Sequence, residues 1–262
     1  IDALVHSLPA LLTLARRFTS AGHELAIVGG PVRDALMGRA SQDWDLTTSA
    51  LPEVIEELIA GWADAVWDVG REFGTIALRK GSAQIEITTY RSDEYDATSR
   101  KPQVRFGDSL AGDLSRRDFA VNSMAVRVSA QPENETIDWT FIDPHGGLTD
   151  LTERVLRTPV AAGISFGDDP LRMMRAARFA AQLGFTAHPE VVSAIEVMAE
   201  RLDIVSAERI RDELVKLLST DEPTPGLRLP QAAVLTQSTT AVANAVPAGG
   251  AVAVGLTYTM LS

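Results

Sequence analysis

Two segments decide the fold: LAIVGGPVRD, residues 25–34, and DWD, residues 43–45. The four apolar residues that open the first segment predict a short buried strand, and the two glycines that follow end it. Pro31 suits the first turn of a helix, where its missing N–H group costs no hydrogen bond. Trp44 and Leu46 flank a second short strand that carries both aspartates. The stretch therefore predicts a strand, a glycine turn, a helix and a strand, which is typical of an α/β region.

The two aspartates of the second segment are candidate metal ligands. Asp43 and Asp45 are two residues apart on a strand, so their side chains point to the same face. Neighbouring carboxylates repel each other unless a cation neutralises them, and Mg²⁺ prefers carboxylate and phosphate oxygens. Two such ions activate an attacking hydroxyl and stabilise a leaving pyrophosphate. The spacing alone also fits a solvated turn or a helix cap, and both alternatives stay open at this point.

The glycine turn is a candidate phosphate site. Gly29 and Gly30 let the backbone approach a ligand closely, and a helix start offers free N–H groups to phosphate. Arg33 adds a positive charge in the first turn. An ordinary strand-to-helix turn has the same residues. However, a phosphate cradle one short helix before a carboxylate pair would put triphosphate beside metal, as phosphoryl transfer requires.

The rest of the chain divides into a mixed part and a helical part. Apolar residues at helical spacing between Leu4 and Phe18 predict one amphipathic helix, and residues 91–107 are predicted to be a mobile loop. Further strands are predicted at residues 65–69, 75–79, 84–90 and 136–142, and helices at residues 171–183, 191–202 and 210–218 with Ser206 as N-cap. The predicted fold class is α+β, with a small mixed-sheet head at 1–145 and an all-helical neck at 146–228.

Composition limits the classes of function. The 262 residues contain no cysteine, which excludes disulfides and thiolate metal sites, and we expect a cytoplasmic protein. The net charge of −11 opposes nucleic-acid binding, but basic residues cluster locally, so a basic groove can exist. Residues 229–262 form an uncharged, low-complexity tail that prolines and glycines make a poor membrane span. We expect a disordered or non-native tail and no membrane partner; the sequence leaves the oligomeric state open.

Six groups of residues occur in the order known from one family. They are Gly29–Asp34 with Gly38 and Asp43–Asp45; Ile87–Arg91 with Glu94, Tyr95, Arg100 and Pro102; Arg116–Phe119 with Asn122; Asp143, Gly146, Gly147, Asp150 and Leu151; Asp168–Arg172 with Arg175, Arg178 and Phe179; and Glu208–Ile210 with Glu213 and Leu214. Over residues 24–229 the chain resembles class II tRNA CCA-adding enzymes and bacterial poly(A) polymerases of the polymerase beta-like nucleotidyltransferase superfamily.

The resemblance implies a nucleotidyltransferase head with these site residues. Asp43 and Asp45 would hold catalytic Mg²⁺, and Glu86 would be a third catalytic carboxylate unless it is simply a solvated strand residue. The triphosphate would be held by Gly29, Gly30 and Arg33. Phosphate and the ribose 2′-hydroxyl would be contacted by Arg117, Asp118 and Asn122.

The resemblance also implies a nucleotide-selecting helix in the neck, with Asp169, Arg172, Arg175 and Arg178. Asp169 and Arg172 are three residues apart, so on a helix they would share a face. A carboxylate accepts and a guanidinium donates, so together they can mimic the pairing edge of a base. A surface ion pair between them is the alternative.

The resulting hypothesis is a metal-dependent, template-independent RNA nucleotidyltransferase that adds CMP and AMP from CTP and ATP to the tRNA 3′ end and releases pyrophosphate. A poly(A) polymerase would share the same head. A catalytically inactive RNA-binding module is a third alternative, although Asp43 and Asp45 are both present. A truncated fragment with weak activity is the fourth, because the resemblance stops at Leu229.

Overall fold

The computed structural model describes residues 1–229 other than residues 42, 69, 95–102, 108, 132 and 134. The low-complexity tail therefore lies outside the described residues, apart from its first residue, Leu229. The chain divides into two compact units, the first Ile1–Leu151 and the second starting at Thr152. The sequence-based boundary lies slightly earlier, between residues 145 and 146.

A mixed β-sheet forms the centre of the first unit. The strands in its described part are β1 Leu25–Val28, β2 Asp43–Thr48, β3 Ala65–Trp67, β4 Thr75–Lys80, β5 Ala83–Thr89, β6 Arg91–Glu94, β7 Gln103–Phe106, β8 Ala125–Ser129 and β9 Asp138–Ile142. Seven of them form one sheet in the order β3-β4-β5-β2-β1-β8-β9. The β2–β5 pair is parallel, and β1–β2 and β4–β5 are antiparallel. The expected small mixed sheet is confirmed.

Helices pack against both faces of this sheet. They are α1 Asp2–Ser7, α2 Leu11–Ser20, α3 Gly30–Leu36, α4 Pro52–Ile59, α5 Leu110–Ser115 and α6 Gly147–Glu153. The main core contains Phe18 of α2 and Ile55 of α4 together with Leu46 of β2 and Ile85 of β5, all buried. Because side chains alternate along a strand, burial of Leu46 and Ile85 leaves their strand neighbours Asp45 and Glu86 on the opposite side. On that side, Leu110 and Leu114 of α5 pack against Ala26 and Val28 of β1.

Two predicted elements of the first unit are wrong in detail. The single helix expected between Leu4 and Phe18 is two helices, because Leu8 adopts an extended conformation (φ −105°, ψ 99°) and Pro9 follows it. Proline favours an extended conformation in the residue before it, so a helix usually ends at or before that residue. The predicted loop at residues 91–107 has the antiparallel pair β6–β7 at its ends, and its middle lies outside the described residues. Polar side chains hid these strands, because the ladder is made by backbone groups.

The second unit is mainly helical. Its described helices are α7 Ala162–Asp168, α8 Leu171–Leu183, α9 Pro189–Met198, α10 Ala207–Leu218 and α11 Thr224–Leu227. Gly184 ends α8 in the left-handed conformation (φ 68°), which favours glycine. Ser206 caps α10 as predicted, since its side chain accepts a hydrogen bond from the Arg209 N–H. Two short parallel strands, β10 Val155–Leu156 and β11 Thr186–Ala187, were not foreseen.

The described helices of both units are short. Among them, none is both long enough and apolar enough to cross a bilayer.

Candidate active site

Three acidic side chains lie on the face of the sheet opposite the main core. The parallel register of β2 and β5 pairs Asp45 with Glu86 and Asp43 with Gln84. Asp43 is therefore two residues from Asp45 on the same face, and Glu86 lies beside Asp45 on the next strand. Asp43 and Glu86 are exposed, whereas Asp45 is half-buried. The register brings the three predicted carboxylates together at neighbouring positions of one surface, called the acidic face below.

The charges of the acidic face act on one another. Burial raises the pKa of Asp45; the Arg117 charge opposes this, and repulsion from Asp43 adds to it. The pKa of Glu86 is raised by burial and then by the negative charges of Asp45 and Asp43. Carboxylates that raise the pKa of their neighbours are closely spaced and only partly neutralised, and a positive ligand would relieve their repulsion.

A divalent cation at the acidic face would need ligands besides carboxylates. Within the described ranges, no three His, Cys, Asp or Glu side chains are grouped so that they alone could hold a metal ion. A cation such as Mg²⁺ commonly uses one or two carboxylates and completes its coordination with phosphate oxygens and water. The hard oxygen donors and mutual repulsion of Asp43 and Asp45 fit a cation that is held jointly by these two carboxylates, phosphate oxygens and water.

The glycine turn after β1 lies against the acidic face. Gly29 has φ 73° and ψ −133°, a conformation that side chains disfavour, and it immediately precedes α3. A Cβ atom on Gly29 would lie 3.2 Å from Nη1 of Arg117 and 3.8 Å from Oδ2 of Asp45. Three predicted site residues from distant parts of the sequence thus converge at one point, and a larger residue in place of Gly29 would push Arg117 away.

Arg33 is placed differently from the expectation of a charge presented to a ligand. It is buried, with 6% of its surface exposed. Its Nε donates to Oδ1 of Asp34 at 2.9 Å, and its Nη1 donates to Oδ1 of Asn122 at 2.7 Å. The Asn122 amide in turn donates to Oδ1 of Asp118 at 3.0 Å. Arg33, Asn122 and Asp118 therefore form one buried hydrogen-bonded chain that joins α3 to the segment before β8.

Asp113 was missed by the sequence reasoning. It is fully buried in α5 and forms ion pairs with Arg116 at 2.8 Å and Arg117 at 3.1 Å. Burial opposes ionisation, but the charges of Arg117 and Arg116 outweigh it and lower the pKa of Asp113. The signal was present in the sequence, because an acid three and four residues before two arginines suits helical ion pairing.

The Asp169–Arg172 pair requires a correction. The two residues do not share a helix face, because Asp169 (φ −140°, ψ 100°) is the C-cap of α7 and α8 begins at Leu171. Oδ2 of Asp169 accepts a hydrogen bond from Nη2 of Arg209 at 2.9 Å. Arg172 is on α8, and its Nη1 donates to Oγ of Ser165 at 2.9 Å. Pro170 explains the difference, since it disfavours a helical conformation in the residue before it.

Arg175 and Arg178 share one buried acid. Nε of Arg178 donates to Oε2 of Glu213 at 2.6 Å, and Nη1 of Arg175 lies 3.6 Å from Oε1 of the same carboxylate. Both guanidinium groups also lie over the ring of Phe179, at 5.5 Å for Arg175 and 4.1 Å for Arg178. Glu213 on α10, only 4% exposed, thus fixes two predicted nucleotide-binding arginines of α8.

The mixed sheet and the mainly helical second unit define an α+β chain of the nucleotidyltransferase-head type. Residues 25–157 match the family described as "Poly A polymerase head domain", and residues 184–231 match that described as "Probable RNA and SrmB- binding site of polymerase A". The chain belongs to the poly A polymerase head-domain family. The resemblance drawn from the motifs is thereby confirmed, and this family implies dependence on a divalent metal ion.

Individual relatives agree with this assignment. A CCA-adding enzyme of Levilactobacillus brevis is 40% identical over 84% of this chain and 51% of the relative. The crystal structure of the Bacillus stearothermophilus CCA-adding enzyme in complex with CTP has a TM-score of 0.75 and 33% identity, covering 90% of this chain and 53% of that one. The structure of a tRNA nucleotidyltransferase complexed with a primer tRNA and an incoming ATP analog has a TM-score of 0.65 and 30% identity, and the match covers 84% of this chain and 60% of that one. The chain spans about half the length of the curated relative.

Proposed function

We propose that this chain is the catalytic part of a CCA-adding enzyme, which transfers CMP and AMP from CTP and ATP to the tRNA 3′ end. The observation that carries the proposal is the convergence of Gly29, Arg117 and Asp45 next to Glu86. In the reaction, the terminal RNA hydroxyl forms a bond to the α-phosphorus and loses its proton. The bond from the α-phosphorus to the bridging oxygen breaks, and pyrophosphate leaves.

Asp43 and Asp45 are the proposed ligands of Mg²⁺, with Glu86 as a third carboxylate at the same face. When bound, the metal supplies positive charge to the attacking and leaving oxygens. The carboxylates themselves orient that charge from a rigid strand pair, because β2 is an internal strand of the sheet. The raised pKa values of Asp45 and Glu86 support this role, since the repulsion behind them is relieved by a cation.

The triphosphate is proposed to lie along the glycine turn. Gly29 and Gly30 leave room for phosphate oxygens, and Arg117 presents its guanidinium beside the same turn. Arg33 supports the turn from inside through its bonds to Asp34 and Asn122. Asp118 and Asn122 are proposed to set the ribose side of the site; their mutual hydrogen bond gives that side a fixed shape.

Base selection is assigned to the second unit. Asp169 and Arg172 are the proposed hydrogen-bonding partners of the base edge, although they come from a cap and a helix rather than from one helix face. Arg175 and Arg178 are proposed to support that edge and nearby phosphate. The domain proposal that follows is a catalytic head at residues 1–145, a nucleotide-selecting and RNA-binding neck at 146–228, and a low-complexity tail at 229–262.

CCA addition is preferred to poly(A) addition because relatives at about 40% identity are described as CCA-adding enzymes. A cytoplasmic location belongs to the same proposal, because tRNA, CTP and ATP are all found there.

The deciding experiment supplies CTP and ATP, together and separately, to this chain with tRNA that lacks its three terminal nucleotides. Sequenced products that end after C, C and A support the proposal. Long adenosine tails that ignore CTP would assign poly(A) addition instead. Binding of CTP without any transfer would indicate a nucleotide-binding fragment, and a Mg²⁺ titration with a chelator control tests the metal assignment.

A further inference from the structure

The Asp113 carboxylate accepts hydrogen bonds from two segments of the first unit. Its Oδ1 accepts from Nη2 of Arg116 at 2.8 Å and from the backbone N–H of Arg91 at 3.4 Å. Its Oδ2 accepts from Nη2 of Arg117 at 3.1 Å. The side chain is fully buried. A buried carboxylate with both oxygens engaged has little freedom to move, so its partners are held in fixed directions.

The far side of the Arg117 guanidinium faces the glycine turn. Its Nη1 lies 3.2 Å from the position that a Cβ of Gly29 would take, while Nη2 is held by Asp113. In the described part of the chain, Nε of Arg117 is buried without a hydrogen-bond partner. The orientation of the guanidinium therefore depends on the hydrogen bond from Nη2 to Asp113, because Nε makes none to the described residues.

Electrostatics favours the same arrangement. Arg116 and Arg117 are adjacent cations, and each would repel the other if no anion stood between them. The ion pairs of 2.8 and 3.1 Å place the Asp113 charge against both. The charges of Arg117 and Arg116 lower the pKa of Asp113 despite its burial, so the anion persists at neutral pH.

We infer that Asp113 is a positioning residue that aims Arg117 at the triphosphate of the incoming nucleotide, next to Asp45. Through the Arg91 backbone, the same carboxylate also anchors the start of β6, so the base of the β6–β7 pair is set together with Arg117. This inference rests on the proposed function, because it requires a triphosphate at the glycine turn.

The test compares Asp113→Asn with the unchanged chain in single-nucleotide addition to shortened tRNA and in CTP and ATP binding. Asparagine keeps the size and removes the charge. We expect KM and Kd to rise about tenfold for CTP and ATP alike, since a hydrogen bond to a charged group is worth at least this much. The value of kcat should stay within about threefold, because an interaction that binds substrate and transition state equally changes KM. Asp64→Asn, which removes an exposed ion pair with Lys80, is the matched control and should change neither.

A double variant separates positioning from general destabilisation. If Asp113 acts through Arg117, adding Asp113→Asn to Arg117→Ala should not raise KM further, whereas independent effects would multiply. Multiplied effects, or a KM within about twofold of the unchanged chain, overturn the inference. If Asp113→Asn does not fold, Asp113→Glu is measured by the same criteria, with an expected rise in KM of about threefold from its displaced charge. If Arg117→Ala itself leaves KM unchanged, the proposed function fails at the triphosphate site, and the inference fails with it.

Discussion

The acidic face of the first unit and a buried ion-pair group of the second unit have opposite charge arrangements. The second group consists of Glu213, Arg175 and Arg178 and is called the Glu213 cluster below. On the acidic face, Asp43, Asp45 and Glu86 are close enough for repulsion to raise the pKa of two of them. In the second unit, the buried Glu213 carboxylate lies 2.6 Å from Arg178 and 3.6 Å from Arg175. One region concentrates charge of one sign, whereas the other compensates a buried charge within its own fold.

The difference separates carboxylates that serve a ligand, on the acidic face, from the Glu213 carboxylate, which serves the fold. Repulsion on the acidic face costs folding free energy, and such a cost is typical of functional sites. The Glu213 cluster instead contributes to folding stability, because a buried ion pair that loses one partner leaves an uncompensated charge. Variants of the acidic face should therefore lower activity without lowering stability, and variants of the Glu213 cluster should lower stability first.

The largest effect is expected for the Asp43→Ala, Asp45→Ala double variant. Nucleotide transfer should fall at least about a thousandfold, because metal-ion charge stabilisation contributes several kcal/mol to the transition state. The free energy of unfolding at pH 7 should be unchanged or higher, since repulsion is removed. Transfer assays and urea unfolding of the same preparation measure both quantities. Substantial residual transfer by the folded double variant would contradict the metal assignment, and a clear loss of stability would contradict the contrast between the two regions.

A large loss of stability is expected for Glu213→Gln. The variant leaves Arg178 and Arg175 without their carboxylate, and breaking a buried pair costs about 3 kcal/mol. Urea unfolding monitored by circular dichroism measures the change. The neighbouring Asp212→Asn is the matched control: its ion pair with Arg211 is exposed, so its loss should cost less than about 1 kcal/mol. Equal effects of the two substitutions would show that burial of Glu213 does not matter.

A smaller effect, on base choice, is expected for Asp169→Ala and Arg172→Ala. Preference for CTP and ATP over the other two nucleotides should fall about tenfold, because a site built on hydrogen bonds rejects bases that leave its polar groups unpaired. Competition assays with all four nucleotides measure the preference, with Asp212→Ala as the control. Unchanged preference in both variants would mean that the Asp169–Arg209 contact is only a surface ion pair.

The sequence predicted those elements that side-chain pattern controls. Strand β1 and helix α8 were found with their observed bounds, because an apolar run between breakers and a proline followed by helical spacing are local signals. The β6–β7 pair and β10–β11 were missed, because their pairing is a backbone property of segments distant in sequence. The α1–α2 break was missed because the apolar spacing continues across Pro9.

The candidate site shows the same limit. Asp43 and Asp45 could be placed on one face from their spacing, but the proximity of Asp45 to Arg117 required the folded chain. For Arg33, the motif places a charge near the turn, but nothing in the sequence indicates that its guanidinium donates to the buried Asn122 side chain. Asp169 was assigned to a helix because it is three residues before Arg172. That assignment ignored Pro170, which separates Asp169 from α8. Pattern locates charged residues, and packing decides which of them are compensated.

The smallest expected effect is a pH dependence that distinguishes Asp45 from Asp113. The folded-state pKa of Asp45 is raised above its ordinary 3.8 and that of Glu86 above 4.5. Between the ordinary and the raised values, the folded chain holds protons that the unfolded chain has released, so raising the pH through this window lowers stability. The pKa of Asp113 is lowered, so its stabilising contribution is present above pH 3.8 and lost as the pH falls further.

These windows lie on opposite sides of pH 3.8, so one substitution can separate them. Asp45→Asn should reduce the loss of stability as pH rises above 3.8, although burial of Glu86 retains part of it. The substitution should leave the acid limb below 3.8 in place. The effect should be smaller than that of Glu213→Gln, because solvent screens the exposed partners Asp43 and Glu86. Urea unfolding across a pH series measures it, in the presence of a chelator because a bound divalent cation would favour the ionised carboxylate. A difference between the two proteins that stays constant across the window would mean that Asp45 titrates normally, and the contrast with Glu213 would then rest on burial alone.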